Sequence, residues 1–175
     1  DLKSVFGPNF RQPKQASLGI EMRLSDLVRL GEIGRGVNGA VHKAVYLPTL
    51  KIVALKSVSI FAKDERSQFL KELQAFLHCP SEYMVKFIGA CFSEGMITMA
   101  LEYLNRGSLD HVIAQSGPLP EQALRLVAQQ LLLAMKDLHA QKFLHRDIKP
   151  ANFLINNEGI ARISDFGLLK QLEED

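Results

Sequence analysis

The sequence predicts an α+β fold built as two lobes, and three observations carry that prediction. Five strand-like runs with one helical stretch among them occupy residues 27–104. Helical patterning dominates after residue 105, and residues 102–107 read as the joint between the two textures. With 175 residues, 47% hydrophobic and 23% charged, the chain has room for one globular domain or part of one, and it is too apolar for a disordered tail.

The elements follow in order. Residues 1–25 stand apart as a tail: Gly7-Pro8-Asn9, Gln12-Pro13-Lys14 and Ser17-Leu18-Gly19 are turn and breaker signals without periodicity. From Leu27 the texture changes to strands. Leu30–Ile33 precedes a glycine cluster, and Val41–Leu47 follows it. Pro48-Thr49 makes a tight link to Lys51–Ile60, which is rich in Val and Ile. Asp64 opens a helix to His78, with Phe69, Leu73, Phe76 and Leu77 at helical spacing. Two more strand runs, Met84–Phe92 and Met96–Leu104, join through Ser93-Glu94-Gly95. Ser108 is an N-cap candidate for a short helix ending near Gly117, and Pro120 starts a longer one reaching about Ala140. Short pieces complete the chain: Phe143–Asn152, Phe153–Ile155, a hairpin-like turn at Asn157-Glu158-Gly159, and Ile160–Ser164. No internal repeat is visible.

Charge and composition exclude several functions. The net charge of +2, from 21 Lys and Arg against 19 Asp and Glu, gives no bulk case for binding nucleic acid or a membrane surface. Cys79 and Cys91 are too few for a disulfide framework and lack metal-ligand spacing, so they read as reduced thiols of an intracellular, cytoplasmic protein. No apolar run approaches the roughly 18 residues of a spanning helix, and no signal peptide is visible. The chain begins at Asp1 and ends in Glu173-Glu174-Asp175, and both ends read as cut points.

Four motifs carry chemistry. In Gly34-Arg35-Gly36-Val37-Asn38-Gly39-Ala40-Val41, glycines at this spacing let backbone N–H groups approach phosphates without obstruction. A plain hairpin cluster has the same composition. A dinucleotide-binding reading needs a helix next, and Val41–Leu47 looks like a strand, which disfavours it. In Val53-Ala54-Leu55-Lys56, a lysine among apolar strand residues either points to solvent or needs an anionic partner. Phosphate oxygens plus a carboxylate would serve. Glu72, between Phe69 and Phe76 on the inward side of the helix, is the candidate; its rival Glu65 sits in the first turn, where the helix dipole favours an acid.

The third motif is His145-Arg146-Asp147-Ile148-Lys149-Pro150-Ala151-Asn152. Asp147 can accept a hydroxyl proton, Lys149 can neutralise a transferring phosphoryl group, and Asn152 can ligate a metal. Asp165-Phe166-Gly167, with Asp165 eighteen residues after Asp147, adds a second metal-binding oxygen.

Together and in this order, the four motifs resemble the protein kinase family over Leu27 to about Gln171. The resemblance implies a kinase-like two-lobe fold: a tail over 1–25, an N-lobe with hinge over 26–104, and a partial C-lobe over 105–175. The N-lobe would hold a five-stranded antiparallel sheet with one inserted helix, and the C-lobe would be incomplete and mainly helical. It implies ATP and Mg²⁺ as well. Gly34, Arg35, Gly36 and Gly39 would cover the phosphates, Lys56 would hold two of them, and Glu72 would pair with Lys56. Asp147 would be the catalytic base with Lys149 beside it, and Asn152 and Asp165 would hold the metal. Val41, Ala54 and Leu154 would sandwich the adenine, Leu101 would guard the back of the pocket, Glu102 and Leu104 would offer hinge backbone groups, and Ser108 would complete the nucleotide contacts. Phe76, Phe87, His145 and Phe166 would stack as one apolar column. No position departs from the active pattern.

Lys149 resembles the Ser/Thr branch. Lys71-Glu72-Leu73-Gln74, Tyr83–Phe92, Leu101–Asp110 and Asn152–Asn156 are similar to mitogen-activated protein kinase kinases. That implies phosphorylation of Ser/Thr, and also Tyr, on a MAP kinase, under an upstream activating kinase. Arg11, Lys14 and Leu18-Gly19-Ile20 resemble the docking segment of such enzymes, though a solvated tail has the same look. The remaining activation segment, an Ala-Pro-Glu-type motif and further helices would follow beyond Asp175. A truncated, catalytically silent scaffold or decoy that binds nucleotide or a partner is therefore the alternative reading. The 120–140 helix is apolar nearly all round, so it expects burial on most faces; an open side would make the chain poorly soluble.

Overall fold

The computed structural model describes residues 22–36, 39–61, 63–79 and 81–172. Most of the tail, with its docking-like segment, and Val37-Asn38 of the glycine loop lie outside the described residues. Among the described residues two compact units emerge, one within 22–69 and 87–103 and the other within 70–86 and 104–172.

The first unit is a five-stranded antiparallel sheet in the order β1-β2-β3-β5-β4. Its strands are β1 (Leu27–Gly36), β2 (Gly39–Tyr46), β3 (Lys51–Ser59), β4 (Phe87–Ser93) and β5 (Met96–Glu102). Alternation decides the faces, because side chains along a strand point to opposite sides with period 2. Ala44, Val53, Leu55, Cys91 and Ala100 bury themselves with Met22 in one cluster, with Leu27, Tyr46 and Ile88 packed against it. Ala54 and Lys56 therefore project from the opposite face. The β1–β2 connection closes at the Gly36–Gly39 pair. Gly39 has φ +102°, and a Cβ there would meet the Ser57 carbonyl oxygen at 3.3 Å, so glycine is required. Strand follows glycine loop directly, which excludes the dinucleotide-binding alternative.

The inserted helix α1 (Lys63–His78) starts in the first unit and ends in the second. Phe69, Leu73, Phe76 and Leu77 are all buried along it, as their spacing predicts.

In the second unit, α2 (Leu109–Ser116) and α3 (Glu121–Ala140) are followed by two small sheets. One pairs β6 (Phe143–Leu144) with β9 (Lys170–Gln171); the other pairs β7 (Phe153–Ile155) with β8 (Ala161–Ile163). Helix α3 packs on β6 and β8. Only Ala134 and Leu138 of this helix are fully buried, whereas Leu124, Leu126 and Leu132 are 53%, 59% and 67% exposed.

One predicted strand divides. The apolar run Met84–Phe92 does not form a single strand, because Met84 pairs in parallel with Ile163 of β8, and β4 starts only at Phe87. Val85 N–H donates to the Ile163 carbonyl at 3.0 Å, and Ile163 N–H donates to that of Tyr83 at 2.9 Å. Nearby, Ser81 Oγ donates to Asp137 Oδ2 at 2.5 Å, and Arg162 donates to the Glu82 carbonyl. Residues 81–85 thus belong to the second unit's hydrogen-bond network. Both cysteines are free and buried, and burial raises both thiol pKa values, that of Cys79 to about 11.

Candidate active site

The loop from His145 to Asn152 is held by side chains bonding to backbone. The Asp147 N–H donates to His145 Nδ1 at 3.2 Å, so that nitrogen is bare. The ring proton therefore sits on Nε2, which donates to the Ser164 carbonyl at 3.3 Å. Burial pushes the His145 pKa down and keeps this neutral tautomer. One ring thus ties the strand before the loop to the residue just ahead of Asp165. The Phe166 ring stacks edge-on against His145 at 5.4 Å and Phe76 at 5.1 Å between centroids. Three members of the expected apolar column come together; Phe87 belongs to the other unit.

Asp147 uses one oxygen for its own support. Oδ2 accepts from Lys149 Nζ at 2.7 Å and from Asn152 Nδ2 at 3.0 Å. The Lys149 bond first, then that of Asn152, hold the carboxyl below the usual carboxylate range, while partial desolvation opposes them. Asp147 in turn raises the pKa of Lys149, which stays charged. Among the described residues, the Lys149 and Asn152 bonds both fall on Oδ2 and neither on Oδ1.

The Asn152 amide can be oriented without ambiguity. Its nitrogen donates to the Asp147 carbonyl at 2.7 Å and to Oδ2, both acceptors only, so Oδ1 must face away from them. Ser164 fixes the residue further, donating from N and Oγ to the Asn152 carbonyl at 2.8 and 3.1 Å. Asp165 sits at φ +60°, and its Oδ1 accepts from Gly167 N–H at 3.2 Å. An amide oxygen and a carboxylate are hard donors that fit a divalent cation such as Mg²⁺. Among the described residues, no group of three or more His, Cys, Asp or Glu could hold a metal, so such a cation would take further oxygens from water or phosphate.

The sheet sets the other residues by register. Val41, Lys56 and Met99 form one row, and Lys43, Ala54 and Leu101 the next. Cross-strand partners share a face, so Val41, Ala54, Lys56 and Leu101 all lie opposite the Met22 cluster. Gly34 pairs with Val41. Arg35 is engaged by Glu32 in a bidentate, exposed pair at 2.7 and 3.1 Å, which leaves its backbone as the part available to a ligand. Glu102 ends β5; its register partner Val53 places it on the cluster face.

In the second unit Glu72 is only 2% exposed, as expected of a carboxylate with a specific partner. Leu104 is buried there too. Ser108 caps α2 without bonding its amides; its hydroxyl donates instead to Asp110, and its backbone bridges Leu154. Two predicted nucleotide contacts, Ser108 and Leu154, are therefore neighbours. Sequence reasoning missed Ser164 and Arg146. Ser164 gives no local signal. Arg146 was quoted only as part of its motif; it takes φ +66° and donates from Nε to the Leu168 carbonyl at 2.7 Å.

This constellation, on this fold, places the chain in a known class. It belongs to the protein kinase family: the family model for the protein kinase domain matches residues 27–175. Among curated proteins it is similar to mitogen-activated protein kinase kinase 3 of Arabidopsis thaliana, 41% identical over 147 residues. That match covers 82% of this chain and 28% of the relative, so the chain spans under a third of the relative's length. Among the described residues, no helix is long and apolar enough to cross a membrane.

Proposed function

We propose that the chain carries the nucleotide-binding lobe and catalytic loop of a protein kinase that transfers the γ-phosphoryl group of ATP to a Ser or Thr hydroxyl of a protein substrate, with Tyr as a further acceptor. The observation that carries this reading is the division of labour on Asp147. Oδ2 is anchored by Lys149 and Asn152, and Oδ1 is left to orient a hydroxyl and take its proton. A carboxylate with a lowered pKa cannot deprotonate an alcohol in advance, so Asp147 aligns the O–H bond and accepts the proton as the bond to phosphorus forms.

Lys149 neutralises charge on the group in transit. Asn152 and Asp165 hold Mg²⁺, which supplies charge neutralisation to the phosphate oxygens when bound. Lys56 takes the α- and β-phosphates with Glu72 as its assigned counter-charge, and the backbone of Gly34, Arg35, Gly36 and Gly39 covers the phosphates. Val41, Ala54 and Leu154 sandwich the base, while Glu102, Leu104 and Ser108 complete the nucleotide contacts. The name of the plant relative supports a MAP kinase as substrate and Lys149 supports Ser/Thr acceptors, and an upstream activating kinase belongs to the same reading. Two buried free thiols agree with a reducing, cytoplasmic compartment.

Asp147→Asn tests the reading. Phosphotransfer to a MAP kinase substrate falls by about 10²- to 10⁴-fold while nucleotide affinity is kept. Undiminished transfer in that variant would refute the assignment of Asp147.

A further inference from the structure

The β7–β8 hairpin carries Leu154 and leads into Ser164 and Asp165, yet its strands are only three residues long. So short a pair does not fix its own position. Its turn is closed internally by Asn156, whose Oδ1 accepts from the N–H groups of Glu158 and Ile160 at 3.1 and 2.9 Å. From outside, Asn105 Oδ1 accepts from Asn157 N–H at 2.9 Å.

On the other flank stands Gln130 of α3. Its Oε1 accepts from Ala161 N–H at 2.9 Å, and its Nε2 donates to the carbonyls of Gly159 and Leu126, both at 3.3 Å. The assignment of oxygen and nitrogen is forced, because one partner only donates and the other two only accept. The carbonyl of Gly159 and the N–H of Ala161 flank Ile160. That is the pair a neighbouring parallel strand would engage with the N–H and C=O of one residue. Gln130 thus supplies with its side chain what an adjacent strand would supply with its backbone.

We propose that Gln130 is a positioning residue for nucleotide binding: by pinning Gly159 and Ala161 to α3, it sets the β7–β8 hairpin so that Leu154 presents its face to the base. This inference rests on the kinase reading and adds a determinant of nucleotide affinity remote from any atom that touches ligand. Leu154 is tied on its other side by the Ser108 bridge and by Ile155 N–H donating to the Gly107 carbonyl at 2.8 Å. Loss of the Gln130 clasp therefore loosens the hairpin on one side and leaves the other side bonded.

The test compares Gln130→Met, which keeps length and removes the bonds, with Gln130→Glu, which sets a carboxylate against two carbonyls. Readouts are the dissociation constant of Mg·ADP, kcat and KM for ATP, and amide hydrogen exchange over residues 157–163, all in the full chain. Gln130→Met is expected to weaken Mg·ADP binding and raise the KM for ATP roughly three- to tenfold, with kcat unchanged and exchange at Ala161 accelerated. Gln130→Glu is expected to do so at least as strongly. A general structural role would instead lower the melting temperature and the active fraction, with KM and kcat per folded molecule unchanged, and would overturn the proposal. Equal Mg·ADP affinity in Gln130→Met and parent, despite faster exchange, overturns it while leaving the kinase reading intact. A parent chain that binds no nucleotide overturns both.

Discussion

Val41, Ala54 and Lys56 are placed by backbone ladders running through eight- and nine-residue strands. Asp147, Asn152 and His145 stand beside strands of two and three residues and are placed by side chains that reach backbone atoms. The contrast teaches where each set of candidate residues is robust. A ladder spreads positional control over many peptide groups, so one side chain can be lost without moving its neighbours. A side-chain network concentrates that control, so one substitution removes both a contact and the geometry that depended on it.

The largest expected effects come from truncating one core residue on each side of this comparison. Leu55 and Phe166 are both 0% exposed. Leu55→Ala is expected to cost about 2–5 kcal/mol and Phe166→Ala about 3–5 kcal/mol in denaturant unfolding. The two should differ per folded molecule. Under the proposed function, Leu55→Ala is expected to keep phosphotransfer, because the ladders still place Lys56, and Phe166→Ala to lose it, because the rings of His145 and Phe76 lose their shared partner. Equal residual activity in the two variants would break the comparison.

A smaller effect follows from His145. Its pKa is lowered in the folded protein, chiefly by burial, so the folded state prefers the neutral ring. That contribution to stability is fully present above the ordinary value of 6.5 and is lost as the pH falls from there through the lowered native value. Acid titration of the unfolding midpoint should show this loss, and His145→Phe should remove it. An unchanged slope in that variant would place the titrating group elsewhere.

The smallest effect belongs to Arg35. Its ion pair with Glu32 is exposed, with side chains 69% and 39% accessible. Arg35→Ala should leave the melting temperature unchanged at physiological salt. A measurable drop would mean that the glycine hairpin relies on side chains as the catalytic loop does.

What was legible in the sequence follows the same division. The His145–Asn152 motif, the Asp165-Phe166-Gly167 turn and the glycine loop are runs of consecutive residues, so a chemical role can be proposed for them without knowing what they touch. Strand-like apolar runs separated by turn signals pointed to the sheet, and helical spacing revealed the buried face of α1. Met84 could not be separated from β4, because residues 84–92 are largely apolar and a short apolar run does not name its partner. Ser164 and Gln130 were invisible for a related reason. Ser164 reaches Asn152, 12 residues away, and Gln130 reaches Ala161, 31 residues away, and nothing local distinguishes them from ordinary polar side chains. The all-round apolar composition of α3 predicted burial on most faces, whereas only Ala134 and Leu138 are fully buried and Leu124, Leu126 and Leu132 are exposed.

The two thiols have a practical consequence. Cys79 falls in one unit and Cys91 in the other, both buried and both with raised pKa values. Alkylating reagents attack thiolate, so each sulfur is unreactive at neutral pH until its surroundings open. The labelling rate of each cysteine is therefore a separate clock for the opening of its own unit, built into the native sequence without any added probe.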